Sequence, residues 1–324
     1  MTLTRGGRHV PLVRDASFEL ARGELVALVG ESGSGKSVTA RAVMGLIQRQ
    51  RGIDVSGSVR LHGAELVGQP ARRVRSLRGR ELAMIFQEPM SSLDPVFTIE
   101  DQMREAVRRR ERLGRKEERD RLVELLTTVG IADPRRCLRQ YPHQLSGGMC
   151  QRVMIAMALA SRPEVLIADE PTTALDLTIQ AQILGLLERL RRETGVAILL
   201  ITHDMGVAAQ VADRVAVMYA GRVVETGTPD RMFAAPLHPY TEGLLSCIPA
   251  MTGARERLLP ALKGSVPDPS NLPTGCAFHP RCAWADDACR DTDPPLAPVD
   301  GRPVACWHAA DRLHDRSQPT EETS

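Results

Sequence analysis

The residues between Gly30 and Ser37 form a glycine-rich segment suited to holding phosphate groups. The segment fits the pattern G-x-x-x-x-G-K-[ST] at every defined position. Glycines let the backbone curl so that successive N–H groups point at phosphate oxygens, and a following helix presents its positive N-terminal end to them. Lys36 is predicted to reach the β- and γ-phosphates, and the Ser37 hydroxyl to ligate Mg²⁺. We expect the whole segment to bind the nucleotide: Gly30, Glu31, Ser32, Gly33, Ser34, Gly35, Lys36 and Ser37.

Two adjacent acids, Asp169 and Glu170, directly follow the apolar stretch 165–168, which is typical of a buried strand. The carboxyl ends of such strands are where ligands bind in parallel sheets. We expect Asp169 to hold Mg²⁺, and Glu170 to orient and polarise the attacking water as a general base.

Gln87 and His203 each follow another predicted strand, at 82–86 and 197–202. The Gln87 amide is able to contact the metal or the water, and the His203 imidazole is able to hydrogen-bond a γ-phosphate. The expected catalytic set is therefore Glu170, His203 and Gln87, and the expected Mg²⁺ set is Ser37, Gln87 and Asp169.

Ser146, Gly147 and Gly148 precede a predicted helix and form a second segment suited to anions. Their contribution would be backbone N–H groups and one hydroxyl at a helix N-terminus. One chain then has two helix N-termini suited to phosphate, one after the loop 30–37 and one at 146–148. A head-to-tail pair of chains is the simplest explanation. In such a pair, this segment covers the nucleotide held by the partner's phosphate loop.

The elements that must position these residues alternate between strands and helices. Strands are predicted at 24–30, 58–61, 82–86, 165–168, 196–202 and 214–219, with helices at 36–47, 147–160 and 179–192 and from residue 205. This alternation predicts an α/β fold with a mostly parallel sheet. The expected division is a core of 1–97 and 146–235, a helical insertion at 98–145, an irregular, proline-rich module at 236–308 and a disordered tail at 309–324.

The composition excludes several classes of function. The formal net charge of +2 and the aromatic content of 3% both argue against a nucleic-acid partner. No apolar stretch reaches the roughly 20 residues of a membrane helix, and no signal-peptide core follows Met1. We expect a chain that stays in the cytoplasm and meets a membrane only through a partner.

In this order and spacing, the segments resemble the ATP-binding subunits of ABC transporters. Residues 30–37 resemble the Walker A motif and residues 165–170 resemble Walker B. Residues 145–151 resemble the signature motif and 174–176 the D-loop, while Gln87 and His203 resemble the Q-loop and H-loop residues. The resemblance adds Asp176 to the expected nucleotide-binding residues. The stretches 87–95, 236–241 and 275–282 resemble the oligopeptide/dipeptide importer branch, to which nickel importers are a sister branch.

This resemblance implies a P-loop ATPase that uses ATP and Mg²⁺ to energise uptake of di- and oligopeptides. It also implies a second ATPase subunit, two membrane permease subunits and an extracytoplasmic solute-binding protein. The chain would then be peripheral, at the cytoplasmic face of the cell membrane. Uptake of nickel or another small solute is the alternative within this branch. A DNA-maintenance ATPase is the alternative outside it, but no sustained heptads separate the phosphate loop from the signature.

The N-terminus departs from the family pattern, in which an aromatic residue on the first strand stacks on adenine. Thr2, Leu3 and Thr4 stand near that position, and none is aromatic. We expect either a truncated or misassigned start, or base stacking that is supplied by another residue.

Four cysteines lie late in the chain, in a C-x₅-C-x₆-C-x₁₆-C pattern that matches neither zinc-finger nor ferredoxin spacing: Cys276, Cys282, Cys289 and Cys306. From spacing alone, unligated thiols come first and zinc second. The resemblance adds a third possibility, because some subunits of this branch carry a [4Fe–4S] cluster on a similar set.

Overall fold

The computed structural model describes residues 1–5, 7–47, 50, 52–173, 175–248 and 262–317. Within these ranges the strands are β1 (Thr2–Arg5), β2 (Arg8–Pro11), β3 (Leu25–Val29), β4 (Ile53–Asp54), β5 (Arg60–Leu61), β6 (Ala64–Glu65), β7 (Leu82–Ile85), β8 (Val165–Asp169), β9 (Ala197–Thr202), β10 (Arg214–Tyr219), β11 (Arg222–Gly227), β12 (Ala297–Val299) and β13 (Arg302–Val304).

The helices of the same ranges are α1 (Lys36–Val43), α2 (Ala71–Leu77), α3 (Pro89–Ser92), α4 (Ile99–Arg108), α5 (Arg115–Thr128), α6 (Pro134–Leu138), α7 (Gly147–Leu159), α8 (Leu177–Thr194), α9 (Met205–Val211), α10 (Pro229–Ala234), α11 (Pro239–Ser246), α12 (Asp287–Asp291) and α13 (Ala309–Ser317). Short 3₁₀ turns occur at Pro142–Gln144, Pro269–Asn271 and His279–Arg281. Among the described residues, every helix is too short or too polar to span a lipid bilayer.

The main sheet has eight strands in the order β12-β13-β11-β10-β3-β9-β8-β7. The five strands from β10 to β7 are parallel to one another. Strands β3 and β9 are buried along their whole length, and all their residues except Thr202 are apolar, as expected where helices cover both faces. The predicted α/β class is confirmed.

The topology brings the candidate residues to one edge of the sheet. The phosphate loop follows β3, Gln87 follows β7, Glu170 follows β8 and His203 follows β9. Because these four strands are parallel neighbours, their carboxyl ends meet at the same edge. This is the position where open α/β sheets bind ligands.

Helices α4 to α6 lie within the expected insertion. Helices α4 and α5 pack against α7, the helix that follows Ser146, and α6 packs on α4 and α5. One buried carboxylate fastens α4 to α5. Glu118 of α5 accepts hydrogen bonds of 2.6 Å from Nε of both Arg104 and Arg108 of α4. The side chain of Glu118 is only 4% exposed, while Arg104 and Arg108 reach solvent at 30% and 61% exposure.

The C-terminal module is more regular than expected, which corrects the prediction of an irregular segment at 236–308. Strands β12 and β13 form a hairpin that extends the main sheet, with Val304 opposite Glu225 of β11. The backbone N–H of Ala305 continues the pairing to the carbonyl of Val224 at 2.8 Å. The hairpin covers β11, whose backbone groups would otherwise be an open sheet edge.

The prediction of a disordered tail is wrong for residues 309–317, which form α13. Ala309 and Arg312 of this helix are buried. The guanidinium of Arg312 donates to the carbonyl of Leu237 at 3.0 Å and to Glu242 at 2.6 Å. These long-range contacts hold the helix on the module. The rest of the expected tail, 318–324, lies outside the described residues.

Residues near the N-terminus form a small second sheet in the order β2-β1-β4. Thr2, Leu3 and Thr4, the positions compared with the family's adenine-stacking residue, lie on β1.

Candidate nucleotide site

The phosphate loop is built from glycines at positions that other residues would strain. Gly33 and Gly35 have positive φ angles of 82° and 105°. A Cβ on Gly30 would lie 2.2 Å from the backbone oxygen of Met218 on the neighbouring strand. The loop therefore needs glycine for backbone conformation at two positions and for close packing at a third.

Lys36 is folded back into its own loop. Its Nζ donates to the carbonyl oxygens of Gly30 at 2.7 Å and Glu31 at 2.9 Å. Burial lowers the pKa of Lys36, while nearby acids, Glu170 first among them, oppose that shift. The ammonium group thus lies where a phosphate would be a better partner than neutral carbonyl oxygens.

Ser37 and Asp169 meet across the site. The Ser37 hydroxyl donates to Oδ1 of Asp169 at 2.7 Å. The second oxygen of Asp169, Oδ2, is buried and has no hydrogen-bond partner. Burial raises the pKa of this carboxyl group. A buried carboxylate oxygen without a partner beside a hydroxyl is a donor set that fits Mg²⁺.

The Gln87 side chain makes its hydrogen bond to Glu170 rather than to Ser37 or Asp169. Its Nε2 donates to Oε2 of Glu170 at 3.0 Å. Thr173, which was not among the predicted residues, donates its hydroxyl to the same oxygen at 2.8 Å. Among the described residues, Oε1 of Glu170 makes no hydrogen bond. Glu170 is therefore held through one carboxylate oxygen while the other remains available.

His203 completes the group around Glu170, with its Nδ1 at 3.5 Å from Oε2. Its side chain is 59% exposed, so the imidazole faces the open edge of the sheet. Glu170 itself has a φ of 46°, in the left-handed region that non-glycine residues rarely adopt. Its N–H is fixed by the carbonyl of Ile201 at 3.0 Å. Such strain at a functional residue is typical of a side chain that must point in one direction.

The segment Ser146–Gly148 begins α7, as its sequence predicts. The Ser146 hydroxyl caps the helix by accepting from the N–H of Met149 at 3.3 Å. None of the hydrogen bonds of the described residues joins this segment to the phosphate loop of the same chain. Asp176 likewise caps α8, accepting from the N–H of Ile179 at 2.9 Å. Of the D-loop stretch, Ala174 lies outside the described residues.

The four late cysteines line one cavity, together with Phe278 and His308. All four are free thiols. Burial raises the pKa of Cys276 to about 11 and that of Cys306 to about 12. Sγ of Cys289 lies 3.6 Å from Nε2 of His308. Among the described residues, Cys289 is the only one of the four cysteines that belongs to a group of possible metal ligands within 4.8 Å of one another, together with Asp286 and His308. A cation bound in the cavity would favour the thiolate forms that burial alone disfavours.

Comparison with known proteins identifies the family of the chain. The family model for ABC transporters matches residues 13–173, and the model for the C-terminal region of oligopeptide/dipeptide transporters matches residues 224–289. The oligopeptide transport ATP-binding protein AppD of Bacillus subtilis is 51% identical over 299 residues, which cover 92% of this chain and 91% of AppD. The chain belongs to the ATP-binding subunits of ABC transporters. This ABC subunit is an ATPase, and its C-terminal region is that of the oligopeptide/dipeptide branch.

Solved structures place the ABC subunit in the same fold. The dimeric ATP-binding cassette MJ0796 in a post-hydrolysis state, bound to ADP and Pi, aligns with a TM-score of 0.63 at 28% identity, over 70% of this chain and 95% of that chain. The cassette cbiO1 of Clostridium perfringens, part of an ABC transporter complex, aligns with a TM-score of 0.60 at 28% identity, over 72% of this chain and 88% of that chain.

The sequence could not assign a role to Thr173, Tyr240 or Arg281. Tyr240 and Arg281 lie in the two C-terminal stretches that carry the branch resemblance, but their contacts with the phosphate loop come from long-range packing. The hydroxyl of Tyr240 accepts from the N–H of Glu31 at 2.8 Å, and Arg281 binds the Glu31 carboxylate. Only proximity to Glu170 in the sequence could have marked Thr173.

Proposed function

We propose that this chain powers import of di- or oligopeptides as one of two ATPase subunits that close head to tail on ATP. The peptide class rests on the C-terminal match at 224–289 and on the likeness to AppD, which is named an oligopeptide transport protein. The names of the similar proteins favour peptides over nickel, since they are called oligopeptide transport or peptide import ATP-binding proteins.

The proposed reaction is attack of water on the γ-phosphate of ATP, giving ADP and phosphate. Glu170 is the general base, and its Oε1 takes the water because the Thr173 hydroxyl holds Oε2. Lys36 moves from the carbonyl oxygens of its loop to the β- and γ-phosphates. His203 hydrogen-bonds the γ-phosphate from the exposed side of the site.

Magnesium would be held by Ser37 and by Asp169, whose Oδ2 has no other partner. When bound, Mg²⁺ supplies positive charge to the phosphate oxygens. Gln87 reaches the metal only if it releases Glu170, which lies 3.0 Å away. We therefore assign Gln87 to Glu170 in the nucleotide-free chain and to the metal or the water once the site closes.

The second half of the site is proposed to come from a partner ATPase subunit. Ser146, Gly147 and Gly148 begin a helix and make no hydrogen bond to their own phosphate loop within the described residues. Asp176 lies near this segment, because the flanking residues Leu175 and Ile179 pack on Gly147 and Gly148. In the closed pair, these residues would cover the partner's ATP, as predicted from their sequence.

The remaining partners follow from the importer assignment. Two membrane permease subunits would receive the closing motion through the helical region α4–α6, and an extracytoplasmic solute-binding protein would deliver the peptide. The chain would then act at the cytoplasmic face of the cell membrane as a peripheral subunit.

The cavity of Cys276, Cys282, Cys289 and Cys306 is proposed to hold a [4Fe–4S] cluster. Four thiols around one cavity provide one ligand for each iron. When bound, the cluster would fasten the 3₁₀ turn, α12 and the β13 region to one another. Iron and acid-labile sulfide measured on anaerobically purified protein test this: four of each support the cluster, whereas zinc or metal-free protein would exclude it.

Transport measurements test the peptide assignment. Cells that carry Glu170→Gln in place of the native subunit should lose uptake of labelled di- and oligopeptides and keep uptake of nickel. Glu164→Gln, at the opposite end of β8, is the matched control because its side chain is 52% exposed and distant from the site. Loss of nickel uptake with normal peptide uptake would replace the peptide proposal by the nickel alternative.

A further inference from the structure

Two residues of the C-terminal module hold one residue of the phosphate loop. Arg281 binds the Glu31 carboxylate with both of its terminal nitrogens, Nη1 to Oε2 at 2.7 Å and Nη2 to Oε1 at 3.0 Å. The hydroxyl oxygen of Tyr240 accepts a hydrogen bond of 2.8 Å from the backbone N–H of the same Glu31. The loop is thus fixed through the side chain and through the backbone by segments more than 200 residues later in the sequence.

Arg281 is itself rigidly placed. Its side chain is only 6% exposed, and its Nε donates to the carbonyl of Lys263 at 2.8 Å. The guanidinium lies over the rings of Tyr219 and Phe278, at 5.7 and 5.6 Å from their centroids. A buried, stacked and forked guanidinium is a geometry that lysine cannot reproduce.

The contacts of Arg281 and Tyr240 with Glu31 are called the Glu31 clamp below. The rings of Tyr219, Tyr240 and Phe278 connect this clamp to β10 of the sheet. The ring of Tyr219 lies 4.6 Å from that of Tyr240 and 5.2 Å from that of Phe278. Tyr219 is the last residue of β10, and Met218 before it packs on Gly30 and Gly35 of the phosphate loop. The clamp therefore rests on the strand that already contacts the loop.

The charge of Glu31 explains why such a clamp is useful. Glu31 places a carboxylate in a loop that must receive several negative phosphate charges, and its carbonyl already accepts from Lys36. Without Arg281, the carboxylate would be free to repel phosphate or to pair with the Lys36 ammonium. Charge-assisted forked pairs are strong enough to decide this competition.

We propose that Arg281 is a positioning residue for nucleotide binding: it neutralises and fixes Glu31, so that the phosphate loop and Lys36 are ready for the phosphates. This inference rests on the ATPase assignment alone and holds whether or not the cysteine cavity carries a cluster. Arg281 does not touch the substrate, so its effect appears in affinity and in KM more than in kcat.

The test measures Mg²⁺-ADP affinity by calorimetry, since ADP fills the loop without hydrolysis or subunit closure. Arg281→Gln should weaken binding about tenfold, as loss of a charge-assisted pair predicts. The double variant Glu31→Gln/Arg281→Gln should bind more tightly than Arg281→Gln and about as tightly as Glu31→Gln alone, because the repelling charge is gone.

The controls separate this effect from damage to the module. Arg290→Gln removes an exposed ion pair to Asp287 in the same module and should leave affinity unchanged. Arg281→Lys keeps the charge but not the forked geometry, and should bind more tightly than Arg281→Gln and more weakly than the native chain. The metal content of every variant is measured alongside, so that loss of a metal centre is recognised.

Three results would overturn the proposal: native affinity in both Arg281 variants, a double variant as weak as Arg281→Gln, or a fall in kcat with an unchanged KM. Failure of the native chain to bind ADP would instead contradict the ATPase assignment, so the two failures are distinguishable.

Discussion

The Ser37 hydroxyl donates a hydrogen bond of 2.7 Å to Oδ1 of Asp169, while Oδ2 of the same carboxylate is buried without a partner. One residue comes from the N-terminus of α1 and the other from the carboxyl end of β8. A buried charged oxygen without a partner is costly, and a divalent cation is the partner that would remove that cost.

Asp169→Asn tests this relationship. The variant keeps the shape of the side chain and removes its charge, so Mg²⁺ should no longer tighten ATP binding. We expect the Mg²⁺-dependent gain in affinity to fall by about 10- to 100-fold, the value of a hydrogen bond or ion pair to a charged group. Calorimetry with and without Mg²⁺ measures this. The exposed Asp230→Asn is the control, and a full Mg²⁺ effect in Asp169→Asn would refute the assignment.

Glu170→Gln tests the general base. The amide cannot take a proton from water but can still be held by Thr173, so ATP binding should persist. Turnover should fall by about 10²–10⁴-fold, the usual contribution of a general base. Steady-state phosphate release measures it, with Glu164→Gln as the control. A rate near that of the native protein in Glu170→Gln would contradict the role.

Thr173→Val tests whether Glu170 must be oriented by a hydroxyl. Valine has nearly the same shape but cannot donate to Oε2. We expect kcat to fall about tenfold with little change in KM, since the lost hydrogen bond to a charged group acts on the base and not on the nucleotide. Thr173→Ser restores the hydroxyl and should recover most of the rate. Equal rates for the valine and serine variants would exclude this function of Thr173.

Glu118→Ala tests the ion pair that joins α4 to α5. Removal of Glu118 takes away a buried carboxylate and its charge-assisted hydrogen bonds from Arg104 and Arg108, which both reach solvent, and we expect a loss of about 1.5–3 kcal/mol in the free energy of unfolding. Glu105→Ala breaks only an exposed pair with Arg109 and should change that free energy by about 0.5 kcal/mol or less. Urea denaturation followed by circular dichroism compares the two, and similar midpoints would contradict the prediction.

The same pair predicts a dependence of stability on pH. Burial opposes ionisation of Glu118, but hydrogen bonds from Arg108 and Arg104 outweigh burial and lower its pKa in the folded chain. The stabilisation is therefore fully present above the unfolded value of 4.5 and is lost as the pH falls below it. Glu118→Ala should accordingly lose less stability than the native chain between pH 5 and 3, judged by urea midpoints across that range.

The positions of the candidate site residues in the fold could be predicted because these residues belong to short local patterns. A buried strand followed by Gly30–Ser37, or by Asp169 and Glu170, specifies both the element and the position of the side chain. The parallel sheet then brings the strand ends together. Gln87 was only partly predicted: its strand and its place at the edge were predictable, but its hydrogen bond to Glu170 was not.

The C-terminal module was harder to predict because long-range contacts determine it. Its prolines indicate loops, yet Val304 pairs with β11 and Arg312 is held by Leu237 and Glu242. The contact between Arg281 and Glu31 joins residues 250 positions apart, and no local pattern could have predicted it.

The most direct test of the account is whether ATP brings the phosphate loop of one chain to the signature helix of another. Ser32 and Ser146 are both exposed, whereas Ser34 is buried, so Ser32→Cys is the better probe of the loop. Chains with Ser32→Cys are mixed with differently tagged chains with Ser146→Cys. Both carry Glu170→Gln to retain ATP and Cys247→Ser to remove an exposed native thiol.

A short bifunctional thiol reagent is then added with and without Mg²⁺-ATP. We predict a covalent product that contains both tags, that requires ATP and that disappears with Lys36→Ala. If the purified chains give none, the same pair of cysteines is placed on this chain and on the second ATPase subunit that copurifies with the transporter. Absence of the ATP-dependent product in both experiments would contradict the shared site.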